Sequence, residues 1–331
     1  MAITKVTGSL LGNYTVGTSN VVVGNTAGDS LQSGGIDNTV VGDEAGTAIT
    51  TGRFNTLIGK EAGDALNDAD SNVAIGKGAL SSDTQGSQST AIGTLALTAQ
   101  NFTSATDSYN VAVGAEAGKA ITTATRSVLI GGLAGDALDT GTRNVVIGYN
   151  ALGIDTKGNK AVAIGYGALQ TQNLTSDTDT FNVGVGYNAL GSNTTGLNNV
   201  AIGGASLDNN TTASNNTAVG FASLGANTTG TANVAVGAYA GDAITTGSNN
   251  VAIGLGALST EDVGGRSVAI GVNSLGQQNV DGNVYNVAVG HAAGNNITTG
   301  IRNTLIGGLA GDAITTANNN TAVGQAALTT N

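Results

Sequence analysis

Short runs of alternating apolar residues recur along the whole chain. Each run places Val or Thr, then a small or apolar residue, then Val or Ile before a glycine, as in VAIG at 73–76. Eighteen copies occur, and 13 of the 17 intervals between their glycines are 17 residues long; the others are 18, 21, 21 and 19. Alternation with a period of two predicts a short β-strand, and glycine predicts a turn after it. A fixed period predicts a repeat architecture in which each copy forms one coil.

Each position of the repeat has its own chemistry when residues are numbered from the motif glycine. Position −4 is Asn in 14 copies, which predicts a ladder of side-chain amides. Positions −3 and −1 hold the β-branched residues, and we expect both to face the interior of the coil. Position −2 is Ala in 11 copies and never carries a charge, so we expect this column to face a neighbouring chain.

One exchange of residues indicates a packed core. Ten copies have Leu at +4, and the other eight have Gly there. Each of those eight has Leu or Ile at +7 instead, as in Gly241 and Ile244. We infer that one large aliphatic group fills the same inner volume from either position, because an empty site would leave a costly cavity.

These patterns predict an all-β fold, a parallel β-solenoid (β-roll) of 18 coils with a period of about 17 residues. The solenoid is expected to span residues 19–331, after a cap or attachment segment at residues 1–18. The uncharged −2 column predicts a parallel homotrimer with that column toward the shared axis or the neighbouring chain.

Composition excludes several classes of function. The chain has no Cys and one His, which excludes disulfides, thiolate metal sites and multi-histidine metal sites. The formal net charge of −11 argues against nucleic acid as a partner, and no stretch is apolar and long enough to predict membrane insertion. Only four Glu occur, and no distinctive pair of carboxylates suits hydrolysis of a glycosidic bond. We therefore expect no enzyme activity, no cofactor and no metal site.

Aromatic residues are few and fall into two columns. The first lies directly after the motif glycine, and the second lies at −5 in the lengthened repeats. The first column holds Tyr149, Tyr166, Tyr187 and Phe221, and the second holds Tyr109, Phe181 and Tyr285. The first column can be a sugar-binding strip, or an aromatic ladder that stabilises the surface of the roll or the seam of a trimer. The second can be a binding surface, because loops on a rigid scaffold often carry binding residues, or a tolerated insertion that an aromatic side chain covers.

Two family resemblances rest on the motif residues. The NVAIG and NTAVG coils with Ala at +3 resemble the head domain of trimeric autotransporter adhesins, which implies an intertwined trimeric β-roll. NTTGLNNVAIGGASL (193–207), NNTAVGQAAL (319–328) and the opening MAITKVTGSLLGN resemble the repeat arrays of bacteriophage tail fibres. Such arrays often precede an intramolecular chaperone of the endosialidase type, and no segment like one follows here.

The tail-fibre resemblance implies a non-enzymatic virion protein that forms a trimeric rod and contributes to host attachment. The implied partners are two further copies of the chain, other tail proteins, and a glycan or protein of the host surface. The alternative is the head of an adhesin on a bacterial cell surface. A third possibility, ice binding, rests on the recurring Thr-Thr pairs such as Thr194-Thr195.

Overall fold

A computed structural model describes residues 19–329, and within them every regular element is a short strand. Eighteen strands have three residues and coincide with the 18 repeats; four have two residues. In chain order the strands are β1 (Val21–Val23), β2 (Thr39–Val41), β3 (Thr56–Ile58), β4 (Val73–Ile75), β5 (Gly86–Ser87), β6 (Thr90–Ile92), β7 (Thr106–Asp107), β8 (Val111–Val113), β9 (Val128–Ile130), β10 (Val145–Ile147), β11 (Gly158–Asn159), β12 (Val162–Ile164), β13 (Thr178–Asp179), β14 (Val183–Val185), β15 (Val200–Ile202), β16 (Thr217–Val219), β17 (Val234–Val236), β18 (Val251–Ile253), β19 (Val268–Ile270), β20 (Val287–Val289), β21 (Thr304–Ile306) and β22 (Thr321–Val323).

The chain is an all-β, parallel β-solenoid of about 18 coils, as the sequence predicts, and it divides into two compact units. The first unit runs to Ala161 and includes Asn173–Asp179; the second holds Val162–Gln172 and the residues from Thr180 onward. In each unit the three-residue strands pair in parallel from one coil to the next. In the second unit, for example, Val234, Ala235 and Val236 lie opposite Val251, Ala252 and Ile253. The predicted segment 1–18 lies outside the described residues.

The motif glycine lets consecutive coils stack closely. Gly203 has a φ of +132°, a conformation that side chains rarely adopt, and a Cβ there would lie 2.5 Å from the carbonyl oxygen of Gly220. Glycine is therefore required both by the backbone conformation and by the contact with the next coil.

The expected asparagine ladder is present, but it bonds mainly to backbone. The Oδ1 atom of Asn55 accepts a hydrogen bond from the backbone N–H of Asn72 at 2.9 Å. The Nδ2 atom of Asn55 donates to the carbonyl of Ala69 at 2.8 Å, and Asn72 repeats this with Gly86 at 2.9 Å. Each amide thus satisfies buried backbone groups of adjacent coils, where an unpaired group would be costly.

The exchange of the aliphatic group between +4 and +7 is confirmed by the packing. Leu224 and Ile244 are both fully buried. A Cβ on Gly241 would lie 3.0 Å from Cδ1 of Ile244, so the two positions cannot both carry a large side chain in one coil. Position +4 has a left-handed backbone in either case, with φ of 48° at Leu224 and 58° at Gly241.

The expectation for the two faces of the strand is wrong. Ala235 and Ala252 at −2 are buried inside their own chain, at 0% and 1% exposure. Val234 and Val236 beside them point outward and are 36% and 37% exposed. The interior of a 17-residue coil is thin, and the +3 alanine with the aliphatic group from +4 or +7 already fills most of it. Position −2 faces this interior in every described coil, including those in which it is Leu57, Leu129 or Leu305. The β-branched residues at −3 and −1 therefore form columns on the outside.

Candidate binding surface

The aromatic residues that follow the motif glycine lie on the surface. Tyr149, Tyr166, Tyr187 and Phe221 are 52%, 52%, 61% and 55% exposed. The turn that begins at the glycine directs these side chains away from the core. All four are therefore available to a partner in the isolated chain.

In the second unit, aromatic rings of this column pack against rings on adjacent coils. The rings of Tyr166 and Tyr187 stack with centroids 5.5 Å apart and planes 11° apart. Gly204 occupies the next coil, and Phe221 packs instead against Tyr239, edge to face at 5.5 Å. Tyr239 was missed by the sequence analysis because it lies at +2 rather than +1. The ring contacts within the second unit thus form two aromatic pairs, one on each side of Gly204.

The second column, at position −5, is also exposed. Tyr109, Phe181 and Tyr285 have φ between 48° and 58°, and each ring is about half exposed. The hydroxyl of Tyr109 approaches Oδ2 of Asp107 at 3.4 Å. Nη1 of Arg266 donates to the hydroxyl of Tyr285 at 2.6 Å, with the guanidinium carbon 5.6 Å from the ring centroid. This column therefore combines aromatic faces with cations.

Each lengthened repeat is anchored by a buried carboxylate that the sequence analysis did not recognise. Asp83 lies one coil before the first insertion and accepts hydrogen bonds from Nε2 of Gln100 at 2.6 Å and from the backbone N–H of Phe102 at 3.1 Å. Asp155 accepts from the N–H of Leu174 at 3.1 Å. Glu261 accepts from Nε2 of Gln278 at 2.7 Å.

A sequence signal for these anchors exists at position +7. In every described coil that has Leu at +4, the residue at +7 is Asp, Glu, Asn or Gln rather than aliphatic. These polar side chains are buried, and in the second unit Asn193, Asn210 and Asn227 form a ladder with amide contacts of 2.8 and 2.9 Å. The polar groups are tolerated inside because almost all of them are hydrogen-bonded. The insertions consequently leave the coil from fixed points.

Ion pairs among the described residues are made by three lysines, Lys60, Lys119 and Lys160. Nζ of Lys60 lies within 3.4 Å of carboxylate oxygens of Asp43, Glu44 and Glu61. Hydrogen bonding to Asp43 and Glu44 raises the pKa of Lys60, and the bond from Lys60 lowers the pKa of Asp43. Burial raises the pKa of Asp64, Asp136 and Asp242, and one carboxylate oxygen of each is buried without a hydrogen-bond partner.

Some hydroxyls of the threonine pairs form hydrogen bonds within the solenoid. The hydroxyls of Thr194, Thr211 and Thr228 donate to backbone carbonyls of the following coil at 3.0 to 3.1 Å. The first threonine of these pairs therefore serves coil stacking, because its hydroxyl hydrogen is already used.

Residues 19–329 contain neither a metal site of clustered ligands nor a membrane-spanning helix. No group of three or more His, Cys, Asp or Glu side chains in this range is placed to hold a metal ion. The same range contains no helix with the length and apolarity needed to cross a membrane.

Two comparisons with known proteins gave no match. No protein-family model matches the chain, and no curated protein matches it.

Proposed function

We propose that the chain is a non-enzymatic structural protein of a phage tail fibre, which assembles as a homotrimer and contributes to attachment to the host surface. The observation that carries this proposal is the pair of outward columns, with Val or Thr at −3 and Val or Ile at −1. Contiguous apolar surface of this kind is typical of protein interfaces. The resemblance of the repeats to tail-fibre arrays supports the virion as the location.

The apolar columns supply the interface for assembly. Position −1 is Val or Ile in all 18 copies, and −3 is Val or Thr. Ile202, Ile306 and Val323 at −1 are 41%, 42% and 67% exposed. Further copies of the same chain carry the same columns at the same spacing, so a parallel arrangement buries them in register.

The interface is tested by the substitutions Val234→Lys and Val236→Lys together. We expect the unmodified chain, of 32.1 kDa, to have three times that mass in light scattering. The double variant should be monomeric and keep its β-sheet circular dichroism, because both side chains already point outward. The control is Val234→Thr, a residue found at −3 in other coils, which should remain trimeric. A folded monomer for the unmodified chain contradicts the proposed assembly.

Attachment and location need a separate test. Electron microscopy of virions labelled with an antibody against the chain should place the label on tail fibres, and the purified chain should bind host cells. Label on the surface of bacteria that carry no phage would instead support the adhesin head, which the NVAIG coils also resemble.

A further inference from the structure

Basic residues are scarce in this acidic chain, yet they are concentrated at one position of the coil. Five of the 11 Lys and Arg residues lie at −5, the column that also holds the aromatic residues of the insertions. These five are Arg126, Arg143, Lys160, Arg266 and Arg302.

In the first unit, Tyr109, Arg126 and Arg143 occupy this position on three consecutive coils. The backbone N–H of Arg126 donates to the carbonyl of Ser108 at 2.7 Å, and that of Arg143 to Thr125 at 3.0 Å. The three residues have φ of 52°, 60° and 60°, so their side chains leave the coil in the same direction, about 4.8 Å apart. All three are exposed.

The two arginines of this unit carry uncompensated charge. Lys60, Lys119 and Lys160 each meet a carboxylate within 3.2 Å. Among the described residues, neither Arg126 nor Arg143 forms an ion pair. Like charges on adjacent strands are unfavourable, so this pair is better explained by an anionic ligand than by stability.

The second unit repeats the combination in a different order. Arg266, Tyr285 and Arg302 occupy −5 on three consecutive coils, and Arg302 donates its backbone N–H to Val284 at 2.9 Å. Tyr285 is held by Arg266, while Arg302 forms no ion pair among the described residues. Each unit thus presents one tyrosine and two arginines.

We propose that each of these two trios binds an acidic sugar unit of a carboxylated polysaccharide. The guanidinium groups would hold the carboxylate, which matches their planar donor geometry, and the tyrosine ring would pack against the apolar face of the sugar. A short acidic sugar needs only this local positive charge. A polyphosphate chain would also meet the net charge of −11. This inference rests on the proposed attachment function and names its ligand class.

The second insertion, between Gly165 and Gly186, provides an internal control. Phe181 takes the place of tyrosine there, and Asn198 lies at −5 on the following coil. The backbone is the same, since Asn198 donates its N–H to Thr180 at 2.8 Å. This position lacks both the hydroxyl and the second cation, so we expect it not to bind.

Titration calorimetry of the full chain with a galacturonic acid hexamer tests the proposal, with the fully methyl-esterified hexamer as the neutral probe. We expect two sites per chain for the acid and no binding of the ester. Arg126→Gln with Arg143→Gln should abolish one site, and Arg302→Gln should weaken the other by roughly tenfold. The control Phe181→Leu with Asn198→Ala should bind as the unmodified chain does.

Three outcomes would overturn the proposal: equal binding of the ester, undiminished binding after all three arginine substitutions, or binding of single-stranded DNA or an acidic peptide in place of the hexamer. A chain that binds host cells but no acidic sugar refutes this inference and leaves attachment standing. A chain that binds neither removes support for both.

Discussion

The coil that begins at Gly220 can be converted from one class of core to the other by two substitutions. It now has Leu224 at +4 and Asn227 at +7, both fully buried. Leu224→Gly with Asn227→Ile would give it the pattern of the next coil, where Gly241 is combined with Ile244. Ile at position 227 would then stack on Ile244 from the neighbouring coil.

Each single substitution should destabilise the chain for a different reason. Leu224→Gly removes a buried side chain and should cost about 2–4 kcal/mol, after allowance for relief of the left-handed backbone at φ 48°. Asn227→Ile adds a second aliphatic side chain to a coil whose interior Leu224 already fills. Such overpacking costs about 1–3 kcal/mol. In the double variant the isoleucine fills the volume that leucine leaves. The double variant still loses the bonds that Nδ2 of Asn227 donates to Oδ1 of Asn210 and to the carbonyl of Gly230. We therefore expect it to be about 1–3 kcal/mol less stable than the unmodified chain. The coupling between the two substitutions should be at least about 2 kcal/mol.

The assay is urea unfolding of all four proteins, together with amide hydrogen exchange in residues 220–253. Exchange is needed because a repeat protein can open locally without unfolding as a whole. The control combines Leu224→Gly with Asn193→Ile, two coils away, where no cavity is available and the effects should add. If Leu224→Gly with Asn227→Ile is as unstable as the sum of its single variants, the shared-volume explanation is wrong.

Three further changes test other parts of the fold. Gly203→Ala should lower stability by more than about 1 kcal/mol in thermal denaturation, because its Cβ would meet Gly220; an unchanged melting temperature would contradict this. Asp83→Ala should speed proteolysis within residues 101–107, since it leaves buried donors unpaired at a cost of about 1–3 kcal/mol each; unchanged cleavage would show that the carboxylate is not the anchor. Because burial raises the pKa of Asp242 in the folded chain, the unmodified protein should gain stability as pH falls through that raised pKa toward the ordinary value. Asp242→Asn should lose this gain, and identical melting profiles at pH 7 and pH 4 for both proteins would argue against it.

The sequence predicts the coils well because the period and the motif are local. The strand at residues 234–236, the turn glycine and the exchange between Leu224 and Ile244 all follow from residue size and spacing. The buried carboxylates that anchor the insertions were not predicted, because each lies one coil before the insertion that it holds. Asp83 is separated from Phe102 by 19 residues, and only stacking brings them together.

The inward and outward faces of the strand could not be assigned from alternation alone. Alternation with a period of two places Val234 and Val236 on the same face of the strand. It does not show whether that face lies inside the coil. Alanine at 235 suits a thin interior as well as a close contact between chains, and the thickness of the coil decides between them. The sequence argument for a trimer rested on that alanine column, which in fact packs within its own chain.

In the observed orientation, the proposed assembly would bury the columns at −3 and −1 rather than the alanine column. Alanine columns facing outward would bury little apolar area per coil between chains. Valine and isoleucine columns bury more, and burial contributes about 25 cal/mol per Å² of apolar surface. The same columns would expose an isolated chain to unspecific association. Because the apolar pattern is repeated in every coil, copies of this chain match it along their length, whereas an unrelated partner would match only a few coils.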